Sequence, residues 1–208
     1  GAAHVQNYGV DTMLLVKLLD AGQRLPVHAH PDGDFAAKHV STAHGKAEAW
    51  YILSAGVVHL GLIRDVPLVE LRALVSAQDS ATLLSLMHEI HVRAGDSIFV
   101  PHGMLHAIGE GILLAEVQEP EDLSILLEWT GFDLEGERDG HLGLGFDLAL
   151  TAVESQGRSI SEVEELVLRN TPEGSVRPES ADPFFRLDRV TSSRNFPAGF
   201  AIVIVIAG

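Results

Sequence analysis

Two histidines separated by one residue end an apolar stretch in the segment "RLPVHAHPD", residues 24–32. Side chains on a β-strand alternate between its two faces, so His28 and His30 point the same way while Ala29 points away. Two steps along a strand cover about 6 to 7 Å, which allows both imidazole rings to converge on one ion. The pair therefore predicts part of a metal site.

Glu48 and His106 are the residues that complete this predicted site. Glu48 begins the apolar segment "EAWYIL", and His106 follows the turn "PHGML". If the strands that carry these residues are neighbours, three imidazoles and one carboxylate surround a common point. That donor set suits Zn²⁺, Mn²⁺ or Fe²⁺ and leaves one or two coordination positions for a substrate. The sequence thus predicts a metal ion held by His28, His30, Glu48 and His106.

A longer pattern surrounds the first histidine pair. Gly22, five further residues, His28, one residue and His30, with Glu48 later in the chain, is similar to the first cupin motif. This resemblance implies a cupin β-barrel. Glu48 follows His30 by 18 residues, where the general cupin pattern has only a few. The departure predicts a long loop, residues 31–47, beside the metal.

The second histidine region matches a second motif more closely. Gly95, five residues, Pro101, one residue, Gly103, two residues and His106 resembles the second cupin motif position for position. A single His-x-His pattern carries little information, but the joint occurrence of both motifs is specific. The fold expected is mainly β: a cupin barrel with a short helical insertion and the start or remnant of a second barrel.

Short apolar segments separated by Gly, Pro and polar turns predict the strands that position these residues. The predicted strands lie within residues 13–22, 25–30, 48–56, 57–63, 90–119, 124–133, 183–190 and 198–208. Residues 67–90 have apolar side chains at helical spacing instead, which predicts two short helices with Asp79 or Ser80 capping the second. Residues 33–47 and 136–145 are predicted to be loops.

A further helix is predicted at about residues 159–169. Ser159 and Glu162 have the spacing of a capping box. We divide the chain into a metal-binding barrel, residues 1–122, with the helical insertion at about 65–90. Residues 123–208 are expected to hold continuation strands, the linking helix and a partial second cupin-like segment.

The composition excludes several functional classes. The net charge of −15 disfavours binding to nucleic acids or anionic membranes, and the absence of cysteine excludes disulfides and thiolate chemistry. The N-terminus lacks the pattern of a signal peptide, and the apolar run "FAIVIVIAG" is shorter than the roughly 20 residues of a membrane helix. We therefore expect a cytoplasmic protein that acts on a small molecule, with a homodimer as its assembly.

The motif-bearing segments resemble one particular cupin family. "LLVKLLDAGQRLPVHAHPD", "GKAEAWYIL" and "AGDSIFVPHGMLHAIGEGILLAEVQEPED" look like type I phosphomannose isomerases, over roughly residues 8–122. The resemblance implies one divalent metal per chain, usually zinc, and interconversion of mannose 6-phosphate and fructose 6-phosphate. It places His30, Glu48 and His106 among the metal ligands and Lys46 and Lys17 in the catalytic site. His28 stands where the family often has a glutamine ligand.

Two positions depart from the family pattern. Leu126 stands where the family has an arginine that contributes to catalysis, and Pro26 stands where many members have a serine near the phosphate. Three other arginines, Arg24, Arg64 and Arg138, are candidates for the missing charge. The alternatives are therefore a cupin metalloenzyme with another sugar, an Fe²⁺ or Mn²⁺ oxygenase, or a sugar-binding cupin without catalysis.

Overall fold

A computed structural model of the chain describes residues 2–197 and 199–206. Most of its strands form two five-stranded sheets with antiparallel pairing, which confirms the mainly β prediction. With strands numbered in chain order, sheet A consists of β1 (Leu15–Asp20), β8 (Leu113–Gln118), β3 (Glu48–Ile52), β6 (Ser97–Val100) and β10 (Val167–Leu168). Sheet B consists of β5 (Met87–Val92), β4 (Gly56–Leu62), β7 (His106–Ile108), β2 (His28–Ala29) and β9 (Ile125–Leu126).

The helices are short and lie in the connections between strands. They are α1 (Ala2–Tyr8), α2 (Gly33–Phe35), α3 (Leu68–Ala77), α4 (Ser80–Ser85), α5 (Gly136–Asp139), α6 (Phe146–Ala149) and α7 (Ile160–Glu164). A π-helical turn spans Ala36–Val40, and 3₁₀ turns span Leu150–Ala152 and Glu179–Ala181. The small strands β11 (Gly174–Ser175) and β12 (Asp188–Arg189) pair with each other. Among the described residues, no helix is long and apolar enough to cross a membrane.

Sheets A and B pack together through one continuous apolar core. Trp50 and Ile52 from sheet A, together with Val58, Leu60 and Ile108 from sheet B, are almost completely buried in it. Burying side chains of this size contributes about 1.5 to 3 kcal/mol each. This packing fixes the distance between the two sheets, and the predicted metal ligands lie on both of them.

Strand β3 is buried along its whole length. Alternation sends Glu48 and Trp50 to the face toward sheet B, where the Trp50 ring lies 5.5 Å from the ring of His106. Tyr51 faces the other way and packs against Val176 in a separate cluster. The second half of the chain thus covers the outer face of sheet A, which leaves Glu48 in a dry interior.

The two inserted helices are confirmed, and Asp79 is the cap of the second. Its side chain accepts a hydrogen bond from the backbone N–H of Thr82 at 3.1 Å. The prediction that the helical segment reaches residue 90 is wrong, because α4 ends at Ser85 and β5 begins at Met87. Pairing of β5 with β4 outweighs the helical spacing of the apolar residues there.

Two segments predicted to be loops contain helical turns. In residues 33–47, α2 and the π-helical turn follow Asp32, whose carboxylate accepts from the N–H of Phe35 at 2.7 Å. The rings of Phe35 and His39, 4.7 Å apart, pack together on this turn. The Gly-rich segment 136–145 begins with α5. The N-terminal helix α1 was not predicted.

The linking helix is shorter than predicted. The capping box of Ser159 and Glu162 is present, but α7 ends at Glu164. Val167 and Leu168 leave the helical pattern because they pair with β6 as strand β10. These tertiary hydrogen bonds replace a final helical turn.

Four predicted strands are shorter than expected or carry no strand assignment. Residues 25–30 and 124–133 pair only as β2 and β9, and residues 183–190 pair only at β12. In the last of these, Phe184 leaves the extended pattern and stacks on Phe99, with ring centroids 5.9 Å apart. Of the predicted strand 198–208, residues 199–206 carry no strand assignment, and residues 198, 207 and 208 lie outside the described part.

Residues beyond 122 contribute to both sheets. Strand β9 pairs with β2, and β10 pairs with β6. The second half of the chain therefore provides β9, which flanks the strand of His28, and β10, which forms one edge of sheet A. The domain division at residue 122 stays a prediction.

Gly45 is a position where the fold tolerates no side chain. A Cβ atom there would lie 2.6 Å from the Pro31 carbonyl oxygen and 2.7 Å from both the carbonyl carbon of Asp32 and the backbone nitrogen of Gly33. We expect Gly45→Ala to lower the free energy of unfolding by about 1 to 3 kcal/mol, as overpacking does. Chemical denaturation measures this change. Gly22→Ala, where a Cβ would meet nothing within 4 Å, is the matched control. Equal stabilities for the two variants would contradict the tight packing at Gly45.

Candidate metal centre

Three histidines meet in the interior between the sheets. His28 on β2 lies directly opposite His106 on β7, and their ring centroids are 4.1 Å apart. The ring of His30 lies 4.9 Å from that of His28 and 4.8 Å from that of His106. Within the part of the chain that the structure describes, their ligand atoms all lie within 4.8 Å of one another. The strand register thus brings together His28 and His106, which are 78 residues apart in sequence.

Backbone carbonyl groups fix the orientation of all three rings. The Nδ1–H groups of His28, His30 and His106 donate to the carbonyl oxygens of Pro26 (2.7 Å), Leu123 (2.6 Å) and Met104 (2.9 Å). A carbonyl oxygen only accepts, so the proton of each neutral ring must be on Nδ1. Each Nε2 therefore carries a free lone pair. This is the tautomer that binds a metal through Nε2.

Glu48 faces the same point from sheet A. Its Oε2 lies 3.3 Å from Nε2 of His30, and its Oε1 lies 3.3 Å from Nε2 of His106. The indole N–H of Trp50 donates to Oε1 at 2.9 Å, which orients the carboxylate. The four predicted ligands are therefore adjacent, with three on sheet B or its continuation and one on sheet A.

The unpaired atoms of this interior have the chemistry of a cation site. Nε2 of His30, Nε2 of His106 and Oε2 of Glu48 are buried and accept no hydrogen bond from the described residues, although the ammonium group of Lys46 lies 3.2 Å from Oε2. Given the tautomers, all three atoms offer only lone pairs. Unpaired buried polar atoms are costly, and a divalent cation would satisfy them together. Three imidazole nitrogens and one carboxylate oxygen fit zinc by donor type.

Burial favours the neutral form of His28 and His30. It lowers the pKa of His30 to about 4, although the nearby Glu48 carboxylate opposes this shift. Burial also lowers the pKa of His28 well below its ordinary value, and His106 and His30 add to the effect. Neutral rings are the form that ligates a metal, so the site is prepared for one near pH 7.

Both predicted catalytic lysines lie beside this centre. Nζ of Lys46 is 3.2 Å from Oε2 of Glu48 and 3.3 Å from Oδ1 of Asp122. Nζ of Lys17 donates to the same Asp122 oxygen at 2.8 Å. Burial alone would lower the pKa of Lys46, but the carboxylates of Glu48, Glu116 and Asp122 outweigh it and raise the pKa. Lys46 is therefore a cation, not a free amine.

Glu116 is a buried carboxyl group that sequence reasoning missed. It lies on β8 opposite Lys17 of β1, and its Oε1 is 3.6 Å from the lysine Nζ. Burial and the charge of Glu48 raise the pKa of Glu116 to about 7, and the two lysines only partly oppose this. The signal in the sequence is strand alternation. Glu116 and Gln118 are alternate residues of β8, so both side chains point to the inner face of the strand.

The three candidate arginines are each bound to a carboxylate. Arg24 makes two hydrogen bonds to the buried Glu128, at 2.6 and 2.7 Å. Arg64 pairs with Glu70, and Arg138 pairs with Asp139.

Leu126, at the family's arginine position, pairs directly with His28 across β9 and β2. Residues opposite each other in antiparallel strands share a face. An aliphatic side chain therefore stands beside the first histidine.

The raised pKa of Glu116 makes stability depend on pH. Folding raises this pKa from 4.5 to about 7, so the folded state binds more protons between these values and stability falls as pH rises through them. In metal-free protein, we expect Glu116→Gln to remove this loss of stability. The free energy of unfolding of the variant, minus that of the wild type, should be about 1 to 3 kcal/mol larger at pH 8 than at pH 4. Denaturation at several pH values in a chelator measures the difference. Glu89→Gln, at an exposed site, is the control; a pH-independent difference for Glu116→Gln would contradict the shift.

The chain is similar in sequence and in structure to known proteins. No protein-family model matches the chain. The curated mannose-6-phosphate isomerase of Streptococcus mutans is 40% identical over 188 residues, which are 82% of this chain and 58% of that protein. The crystal structure of mannose 6-phosphate isomerase from Bacillus subtilis superposes with a TM-score of 0.56 and 24% identity, over 74% of this chain and 52% of that one.

A third protein, a mannose 6-phosphate isomerase bound with zinc and yttrium, superposes with a TM-score of 0.54 and 13% identity, over 78% of this chain and 59% of that one. At these identities the two structural likenesses show a shared fold. The chain spans about half the length of the relatives that it matches. By sequence it is a relative of the mannose-6-phosphate isomerases, as its motifs predict, and it has their fold.

Proposed function

We propose that the chain is the metal-binding part of an aldose–ketose isomerase that interconverts mannose 6-phosphate and fructose 6-phosphate or a related sugar phosphate. The observation that carries this proposal is one cluster: three histidines with free Nε2 atoms, one carboxylate, two lysines and a buried carboxyl group with a pKa of about 7. Isomerisation moves a proton between adjacent carbons, which needs a polarised oxygen and groups that take and give protons.

Zinc is the proposed cofactor, one ion per chain, held by His28, His30, Glu48 and His106. A bound zinc ion would polarise the carbonyl group of the open-chain sugar and stabilise negative charge on oxygen. The donor set supports this choice, since imidazole and carboxylate suit zinc, with Mn²⁺ and Fe²⁺ as the alternatives. A structural relative described as bound with zinc is consistent with it.

We assign the proton chemistry to Glu116 and Lys46. With a pKa of about 7, Glu116 exists in both protonation states near neutral pH, so it can remove and return a proton on carbon or oxygen. The raised pKa of Lys46 makes it a hydrogen-bond donor and charge stabiliser rather than the base. Lys17 has the same role at the other side of Asp122.

The substrate class is proposed from the charge of the site and from the relatives. Lys17, Lys46, Glu48 and Asp122 balance one another, so a divalent cation would leave the site positive and attractive to a phosphorylated sugar. The net charge of −15 argues against nucleic acid and membrane partners. A cytoplasmic homodimer remains part of the proposal.

A second candidate is a sugar-binding protein that retains the metal but not the isomerisation. Leu126 supports it, because an aliphatic side chain faces the site beside His28, at the position where the isomerases have an arginine. This alternative expects sugar phosphates to bind without turnover.

The first test removes one histidine. We expect His106→Ala to abolish interconversion of mannose 6-phosphate and fructose 6-phosphate and to weaken zinc binding at least about 100-fold, since it deletes a ligand rather than an outer contact. A coupled assay and chelator competition measure the two effects. His91→Ala, an exposed histidine on β5, is the control. Zinc-loaded wild-type protein without turnover would contradict the isomerase proposal.

The second test separates the role of the Lys46 charge in the reaction from metal binding. We expect Lys46→Met to lower kcat by about 100- to 10,000-fold while zinc binds equally or more tightly, because the variant removes a cation 3.2 Å from Glu48. Lys38→Met, at an exposed lysine on the π-helical turn, is the matched control. Turnover within threefold of the wild type in Lys46→Met would exclude Lys46 from the reaction.

A further inference from the structure

Gln118 is a buried amide at the edge of the metal centre. It is completely inaccessible to solvent and lies directly opposite Glu48 across β8 and β3. Opposed residues in antiparallel strands share a face, so Gln118 points to the same interior as the carboxylate. The proposed reaction does not use its side chain.

The nitrogen end of Gln118 anchors the loop that follows β8. Nε2 donates to the carbonyl oxygens of Glu119 at 3.1 Å and Glu121 at 2.7 Å. Both N–H groups of this amide are thus used on one loop, residues 119–123. Since the amide is buried, each bond is difficult to replace by water.

That loop holds two parts of the site at once. Asp122 accepts from Lys17 at 2.8 Å and lies 3.3 Å from Nζ of Lys46. The carbonyl oxygen of Leu123, the next residue, accepts the Nδ1–H of His30. A shift of the loop would therefore move both ammonium groups and rotate a histidine ring.

The oxygen end of Gln118 has no hydrogen-bond partner among the described residues, although it is buried. Gln78, the residue that ends α3, makes the contrast clear. Its Nε2 also donates to two backbone carbonyls, but its Oε1 accepts from the N–H groups of Trp129 and Thr130 at 2.7 and 3.0 Å. An unpaired buried carbonyl is unfavourable, so a donor from a bound species would stabilise the Gln118 oxygen.

We propose that Gln118 is a positioning residue of the metal centre, whose amide nitrogen fixes residues 119–123 and whose amide oxygen accepts a hydrogen bond from an O–H group inside the site. This inference rests on the proposed metal-binding function. The donor is water when zinc alone is bound, and a hydroxyl group of the sugar when a substrate is present.

The decisive experiment compares variants of two glutamines, Gln118 and Gln78. We expect Gln118→Met to weaken zinc binding about 10- to 100-fold, as the loss of a group that orients a ligand does, with Gln118→Asn as a second variant that keeps the amide but lacks its reach. Gln78→Met should lower the melting temperature and leave the zinc dissociation constant within threefold of the wild type. Chelator competition gives the affinities, and thermal denaturation gives the stabilities.

Each outcome has a defined meaning. Unchanged zinc affinity in Gln118→Met, or equal losses in Gln118→Met and Gln78→Met, would overturn the positioning role. A wild type that binds no zinc would reject the proposed function itself. Crystal structures of the zinc-loaded protein with and without fructose 6-phosphate should place an oxygen atom within about 3.2 Å of Oε1; its absence from both would overturn the acceptor role.

Discussion

The candidate centre depends on one constraint: three imidazole rings are buried together and must remain neutral with their Nε2 atoms free. Burial supplies neutrality, because it lowers the pKa of His28 and His30. Backbone carbonyls supply the tautomer, because each accepts the Nδ1–H of one ring. Neither condition depends on a flexible side chain. The rings are therefore oriented for a cation before it binds, and little reorganisation is required.

The charged groups around the histidines form a balanced arrangement. Asp122 bridges Lys17 and Lys46, and Lys46 in turn pairs with Glu48. Glu116 avoids a full negative charge near pH 7 because its pKa is raised to about 7. These charged groups can consequently be buried together. A divalent cation would add positive charge that they do not cancel. A phosphorylated sugar is a suitable partner for such a site.

Both halves of the chain are needed to build this interior. Strand β9 flanks β2, and the carbonyl oxygen of Leu123 orients His30. Aromatic residues of the second half, such as Phe184 against Phe99, cover the outer face of sheet A. The proposed metal ligands come from residues before 107, but their dry environment depends on residues after 122.

The sequence by itself determined the residues that could do chemistry. The spacing of His28 and His30, and the motif ending at His106, depend on local geometry, since alternation along a strand is set by the backbone. The paired inserted helices and the capping box at Ser159 were predictable for the same reason. Such patterns involve contacts a few residues apart, and they need no knowledge of the rest of the chain.

Only the tertiary structure decided which strands are neighbours and which charges interact. Val167 and Leu168 have a helical pattern, yet they pair with β6 because its edge offers unpaired backbone groups. Lys46 was predicted to lie in the catalytic site, but its raised pKa depends on Glu116 and Asp122, which are distant in sequence, as well as on the neighbouring Glu48. Glu116 and Gln118 carry no motif and gain importance only from where β8 lies. Burial and long-range electrostatics act through space, and a sequence read residue by residue does not contain those distances.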